Sequence, residues 1–136
     1  MARIRISAAA SVMGVSDDTI RRWIDSGRLT ADTDDSGKRV VDGAELVALA
    51  EEIAQAASLE HLDGGAGHRS ARNHLTGLVS RIVSDQVMSQ VELQCGNYRV
   101  VSLISTEAVQ DLGLEVGSIA TAVIKSTNVS IEGPRP

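Results

Sequence analysis

The chain has 136 residues, with 13 basic and 18 acidic side chains and a formal net charge of −5. That length suffices for one ordinary domain or two small ones, and the acidic balance weighs against non-specific binding of nucleic acid without excluding a local basic face. Trp23 and Tyr98 are the only aromatic residues and Cys95 the only cysteine, which argues against recognition of single-stranded nucleic acid by base stacking and excludes an internal disulfide or a cysteine-based metal cluster.

With no phenylalanine, the cores must be built from Ala, Val, Ile and Leu. Small domains bury a modest fraction of their surface, so two of them would lean on self-association. Arg3 and Arg5 ahead of Ile6 to Val15 imitate a signal peptide only faintly. Ser7 and Ser11 interrupt the apolar run, which ends in Asp17-Asp18. No segment approaches the length needed to span a bilayer. The expectation is an intracellular, cytoplasmic protein with no membrane partner.

The first half reads as helix, turn, helix, wing, helix. Ser7 is placed to cap a short helix carrying Ala8, Ala9, Ala10, Val12 and Met13, which Gly14 ends. Ser16 caps a second helix over 17–26, with Asp17 and Asp18 in its first turn and Ile20, Trp23 and Ile24 on one face. Arg28-Leu29, a polar turn over 32–39 and Val40-Val41 suggest two short strands joined as a wing. Asp42 caps a third helix in which Leu46, Leu49, Ala50 and Ile53 repeat at helical spacing.

The segments Ala10 to Ser16, Thr19 to Trp23 and Asp25 to Leu29 resemble the MerR and excisionase type of winged helix-turn-helix. That resemblance implies double-stranded DNA as a partner. Ser16, Thr19, Arg21 and Arg22 would contact the groove or its phosphates, and Lys38 and Arg39 would be the wing contacts. Trp23 is read as core. Arginine can grip a guanine edge bidentately, and either cation can neutralise phosphates. Asp32, Asp34 and Asp35 depart from the basic wings of that family, and three carboxylates beside phosphates would repel. Affinity for DNA would then be modest, strongly salt-dependent or reliant on two modules acting together.

Domain boundaries are expected at 1–58 for the winged helix-turn-helix, 59–69 for a flexible linker and 70–132 for a second domain. The linker is marked by three glycines in four positions, Gly64, Gly65 and Gly67 being preceded by a loss of all periodicity. His61 and His68 lack companion ligands at helical or knuckle spacing and are read as exposed linker histidines, with no metal site.

From Leu75 the pattern becomes that of strands. Leu78-Val79 with Ile82-Val83 suggests one, Val87 to Cys95 a second and Tyr98 to Ile104 a third across a Gly96-Asn97 turn. Ser105 caps a helical turn over 106–112 that Gly113 ends. Strands at Ser118 to Lys125 and Asn128 to Ile131 complete a compact five-stranded barrel of oligonucleotide-binding type. The fold class is therefore α+β in two small domains, mainly α and then an OB-like β-barrel.

At the head of this half, Ser70-Ala71-Arg72-Asn73 packs a hydroxyl, a guanidinium and an amide into four residues, a group of donors able to hold a tetrahedral oxyanion. This motif, together with Leu75 to Val79, Ser105 to Val109, Leu112 to Gly117 and Ala122 to Ser126 with Val129, resembles the Mop (molbindin-like, TOBE) domain of molbindins and of molybdate-responsive regulators. The resemblance implies molybdate or tungstate as ligand, with no catalytic cofactor, held at interfaces between subunits. Ser70, Ala71 (through its backbone N–H) and Arg72 of one chain would face Lys125 and Ser126 of another, with Asn73 in support. It also implies a homo-oligomer, a hexamer built as a trimer of dimers first and a dimer second. A dianion leaves water only if charge and several donors replace its hydration, which Arg72 and Lys125 with two hydroxyls can do.

No catalytic constellation is present: there is no Ser-His-Asp arrangement, no phosphate loop and no carboxylate pair with a positioned histidine, so no enzyme is expected. The function expected is a one-component molybdate- or tungstate-responsive transcriptional regulator. The alternative is a storage or buffering protein with a weak or vestigial DNA-binding module.

Overall fold

A computed structural model describes residues 2–59, 62 and 70–134. The chain divides into two compact units, Met1–Ser58 and Leu59–Pro136. Most of the expected linker, including His61 and His68, lies outside the described residues.

In the first unit the order is β1 (Arg3–Arg5), α1 (Ile6–Met13), α2 (Asp17–Asp25), β2 (Ala31–Thr33), β3 (Arg39–Asp42) and α3 (Gly43–Ala56). α1 starts one residue before the expected Ser7 cap. Its N-cap is Arg5, which leaves β1 in an extended conformation and makes no side-chain cap bond. Gly14, at φ 68°, then turns the chain, and the Val15 N–H donates back to the Ala10 carbonyl at 3.0 Å. α2 is capped by Ser16, whose side chain accepts from the Thr19 N–H at 3.1 Å. α3 is capped by Asp42, which accepts from the Ala44 N–H at 3.2 Å.

The wing differs from its expected form in two ways. Its first strand lies at Ala31–Thr33 rather than Arg28-Leu29, because Leu29 is drawn into the helical core and the N–H groups of Arg28 and Leu29 both donate to the Trp23 carbonyl, at 2.8 and 3.2 Å. It also gains a third strand: β1 pairs antiparallel with β3, giving the order β1-β3-β2. The core of the unit gathers Ile6, Ala9, Ala10, Ile20, Leu29, Val41, Leu46 and Leu49. Trp23 packs partly buried against it, and the Arg28 guanidinium lies 5.9 Å from its ring centroid.

In the second unit the order is β4 (Asn73–Ser84), β5 (Met88–Cys95), β6 (Tyr98–Ser105), α4 (Thr106–Leu112) and β7 (Ile119–Ile124), followed by a 3₁₀ turn at Ser126–Asn128. All pairings are antiparallel and the strand order is β6-β5-β4-β7. The long β4 serves two partners. Asn73 to Leu78 pairs with β7, and Leu78 to Ser84 pairs with β5, with a bulge between Val79 and Arg81. The inner face carries Val79, Val91, Leu93 and Cys95, covered by Val109 of α4. Cys95 is buried there, and the burial raises its thiol pKa, consistent with a packing role.

The second unit has the expected OB-type β fold, with the sheet open between β6 and β7 among the described residues. The expected last strand, Asn128 to Ile131, is not formed. Residues 126–128 make a 3₁₀ turn and residues 129–134 are irregular, with Ile131 88% exposed. The alternating pattern of this segment finds no neighbouring strand among the described residues.

Candidate functional site

The donor motif and the lysine segment meet through the register of β4 on β7. Asn73 pairs with Ile124, His74 with Val123 and Leu75 with Ala122. Arg72 and Lys125 are therefore the first residues beyond the ladder on adjacent strands. Ser70 with Ala71 continues outward on one side and Ser126 on the other. The two segments are thus backbone neighbours within one chain, whichever copy completes each anion site. Sequence pattern alone could not reveal it, because pairing over a separation of 51 residues is a tertiary fact.

Ser70, Arg72, Lys125 and Ser126 are exposed and Ala71 is half-buried. Asn73 is half-buried and donates from Nδ2 to the Ile124 carbonyl at 3.1 Å, so it ties the two segments together. The His74 ring reaches back to the Ala71 carbonyl at 3.0 Å. Lys125 begins the 3₁₀ turn, its carbonyl accepting from the Asn128 N–H at 2.9 Å. Two permanent cations, two hydroxyls and the local N–H groups form a donor set suited to a tetrahedral dianion and poorly suited to a cation. Among the described residues there is no group of three or more His, Cys, Asp or Glu side chains able to hold a metal ion.

The residues expected to contact DNA lie in the first unit. The Ser16 hydroxyl is engaged in capping α2 and lies 3.0 Å from the Thr19 hydroxyl, which accepts from Arg22 at 3.1 Å. Arg21 pairs with Asp18 at 3.2 Å. Arg21, Lys38 and Arg39 line a groove of ≈ 340 Å³ between the wing and the start of α2, together with Arg5, Ser7 and Asp17. Arg5 and Ser7 are additions to the expected surface; they reach it because β1 joins the wing sheet.

The acidic wing is also less repulsive than its sequence suggests. Arg3 pairs with Asp32 at 3.1 Å and Arg5 with Asp34 at 3.2 Å. Asp34 is used structurally, since its carboxylate accepts from the N–H groups of Ser36 and Lys38 and from the Ser36 hydroxyl. The Lys38 N–H, ahead of the Ser36 hydroxyl and the other donors, holds its pKa down to about 2.

A family model described as the TOBE domain matches residues 69–131. Molybdenum-pterin-binding protein 3 of Clostridium pasteurianum is 44% identical over 63 residues, which cover 46% of this chain and 93% of that protein. The chain belongs to the TOBE-domain family. A probable molybdenum-pterin-binding protein of Haemophilus influenzae is 43% identical over 63 residues, 46% of this chain and 91% of that protein. Among solved structures, a molybdate-binding protein from Sporomusa ovata is similar, with 30% identity, a TM-score of 0.47 and coverage of 49% of this chain and 100% of that one. The TOBE match begins one residue before Ser70 and ends beyond Ser126, so it spans both segments of the candidate site. No helix among the described residues is long and apolar enough to cross a membrane.

Proposed function

We propose that this TOBE-family chain binds molybdate or tungstate between Ser70-Ala71-Arg72 and Lys125-Ser126, and that it serves as a molbindin-like store or buffer of the anion. The observation that carries the reading is the β4–β7 register, which sets Arg72 beside Lys125 within a family match spanning both. The relatives' descriptions as molybdenum-pterin-binding proteins support the same ligand class.

A dianion on this exposed end of one chain would keep much of its water. Cover from a second copy would strengthen every contact by excluding that water. The working form is therefore a homo-oligomer, a trimer of dimers first and a dimer second, with each anion at or near an interface. Calorimetric titration with molybdate, tungstate and sulfate tests the reading. Heat is expected with the first two and not with sulfate, and silence with both heavy oxyanions rejects it. Arg72→Ala or Lys125→Ala should weaken binding about ten- to hundredfold, the range expected for losing a charge-assisted bond.

A second reading, the molybdate- or tungstate-responsive transcriptional regulator, is favoured by the groove of the first unit. Lys38, Arg39, Arg21 and Arg5 line it with Asp17, Arg21 and Arg5 being ion-paired to Asp18 and Asp34, and the excess of cations suits a phosphate backbone of double-stranded DNA. In this reading Arg21, Arg22, Lys38 and Arg39, with the α2 start at Ser16 and Thr19, form a winged helix-turn-helix contact. Anion binding then acts on DNA only if the two affinities are coupled. Gel retardation of the protein's own promoter fragment at low salt, with and without molybdate, separates the readings. No shift under either condition leaves storage.

A further inference from the structure

We infer that His74 is a positioning residue for the oxyanion site, fixing the peptide that presents Arg72; the inference rests on the anion-binding function proposed above. Residues 70–72 precede β4 and lie outside its paired register, so the ladder does not set their conformation. Two side chains of the first β4 residues bracket Arg72 instead. Asn73 donates across to the Ile124 carbonyl on β7. His74 turns back over Arg72 to the Ala71 carbonyl, 3.0 Å from Nε2. A carbonyl oxygen only accepts, so Nε2 carries the hydrogen and the ring is the donor.

The Ala71 carbonyl and the Arg72 N–H belong to one planar trans peptide and point in opposite directions. Holding the oxygen on the His74 side therefore aims the Arg72 N–H away from the ring and fixes the plane of the peptide from which Arg72 departs. That matters because the neighbouring strand end carries Lys125. Two cations on adjacent strand ends repel until an anion arrives, and an untethered Arg72 would swing away. The Asn73 and His74 bonds hold the segment near Lys125 before the ligand binds, which reduces the ordering cost at binding.

Among the described residues, the charged groups at this end are Arg72, ahead of His74 on its own strand, and Lys125, two residues beyond Val123, the His74 partner on β7. Neither can accept a bond from the ring. The Nε2 hydrogen goes to the Ala71 carbonyl, and the role assigned is one of geometry.

The full chain is titrated with molybdate by calorimetry as parent, His74→Leu and His74→Gln. Loss of the hydrogen bond to the Ala71 carbonyl predicts affinity about tenfold weaker for His74→Leu at unchanged stoichiometry. Glutamine retains an N–H donor on a side chain of similar reach, so His74→Gln should restore affinity to within about threefold of the parent. A merely structural histidine would lower the thermal midpoint in both variants without this split in affinity. Long-range ¹H–¹⁵N spectra of the unliganded parent add a test that needs no variant to fold: the hydrogen is expected on Nε2, and a neutral ring carrying it only on Nδ1 overturns the inference. If the parent binds molybdate and His74→Leu binds equally well, the inference fails while the site stands. If the parent binds neither molybdate nor tungstate, the site itself is wrong and the inference falls with it.

Discussion

Asp34 shows how a single residue can carry a local fold. Its carboxylate gathers two backbone N–H groups and a hydroxyl within the wing turn, plus the Arg5 guanidinium from β1. Its pKa is about 2 in the folded chain against an ordinary 3.8. A depressed folded value means that the stabilisation is fully present above the unfolded pKa and is lost as pH falls through the folded one. The thermal midpoint of the first unit should therefore fall between about pH 4 and pH 2, and Asp34→Ala should flatten that slope while lowering the midpoint at neutral pH. Circular dichroism melts over this range check it, and equal slopes in the two proteins would reject it. Asp85, in the second unit, is also held below its ordinary value, by the N–H groups of Met88 and Val87, so the melt of that unit carries an acid slope of its own that Asp34→Ala leaves unchanged. The caps at Ser16, Asp42 and Ser105 were legible in the sequence because capping is a matter of three or four residues. The pairing of Arg5 with Asp34 was not legible, because it spans 29 residues and depends on a three-residue strand too short to show alternation. The wing therefore looked more repulsive to phosphate than its structure makes it.

At the scale of elements, β4 is the strand on which the candidate site depends, and Gly77 is its narrowest point. A Cβ added there would lie 2.8 Å from the Cys95 sulfur and overlap the Gln94 carbonyl oxygen. The backbone of β4 can only approach the end of β5 so closely where there is no side chain. Gly77→Ala should cost about 2 kcal/mol or more by overpacking against backbone that cannot yield, measured by urea denaturation. A cost below about 0.5 kcal/mol would show that the strands separate freely. Because Gly77 lies within the β4–β7 ladder, opposite Ala120, the same change should loosen the partnership that brings Arg72 to Lys125. Most strands of this half were legible, since their alternation matches one buried and one open face. Two features were not. The start of β4 at Asn73, immediately after the donor motif, is set by pairing with β7. The run from Val129 to Ile131 has strand chemistry but no partner among the described residues. The residues of the candidate site were readable as chemistry, while the adjacency of their two backbone segments required the register.

At the scale of the whole molecule, the second unit leaves apolar side chains on the wrong side of its sheet. Leu93 pairs with Val100, and Ala120 and Ala122 lie inside, so Val101 and Leu103 of β6 and Ile119 and Val123 of β7 project from the opposite face. They are 45% to 68% exposed. The middle of that face is polar: Glu92 is nearly buried and ion-paired with Arg99. The apolar rows thus fall on β6 and β7, the two edge strands, where unpaired backbone groups also invite another strand. Ile131 and Val129 offer one, apolar and irregular in the single chain. An acidic residue placed on either row should therefore break assembly without unfolding the unit, because its side chain meets solvent in the isolated chain. Leu103→Asp is the sharpest choice, being 68% exposed and remote from the core cluster. Light scattering should show an oligomer for the parent and monomer for the variant at micromolar concentration, with unchanged far-ultraviolet circular dichroism. If anion binding depends on cover from a second copy, molybdate affinity should fall together with the mass. A monomeric variant that binds as tightly as the parent would instead assign the whole site to the β4–β7 end of one chain, leaving assembly to serve stability alone.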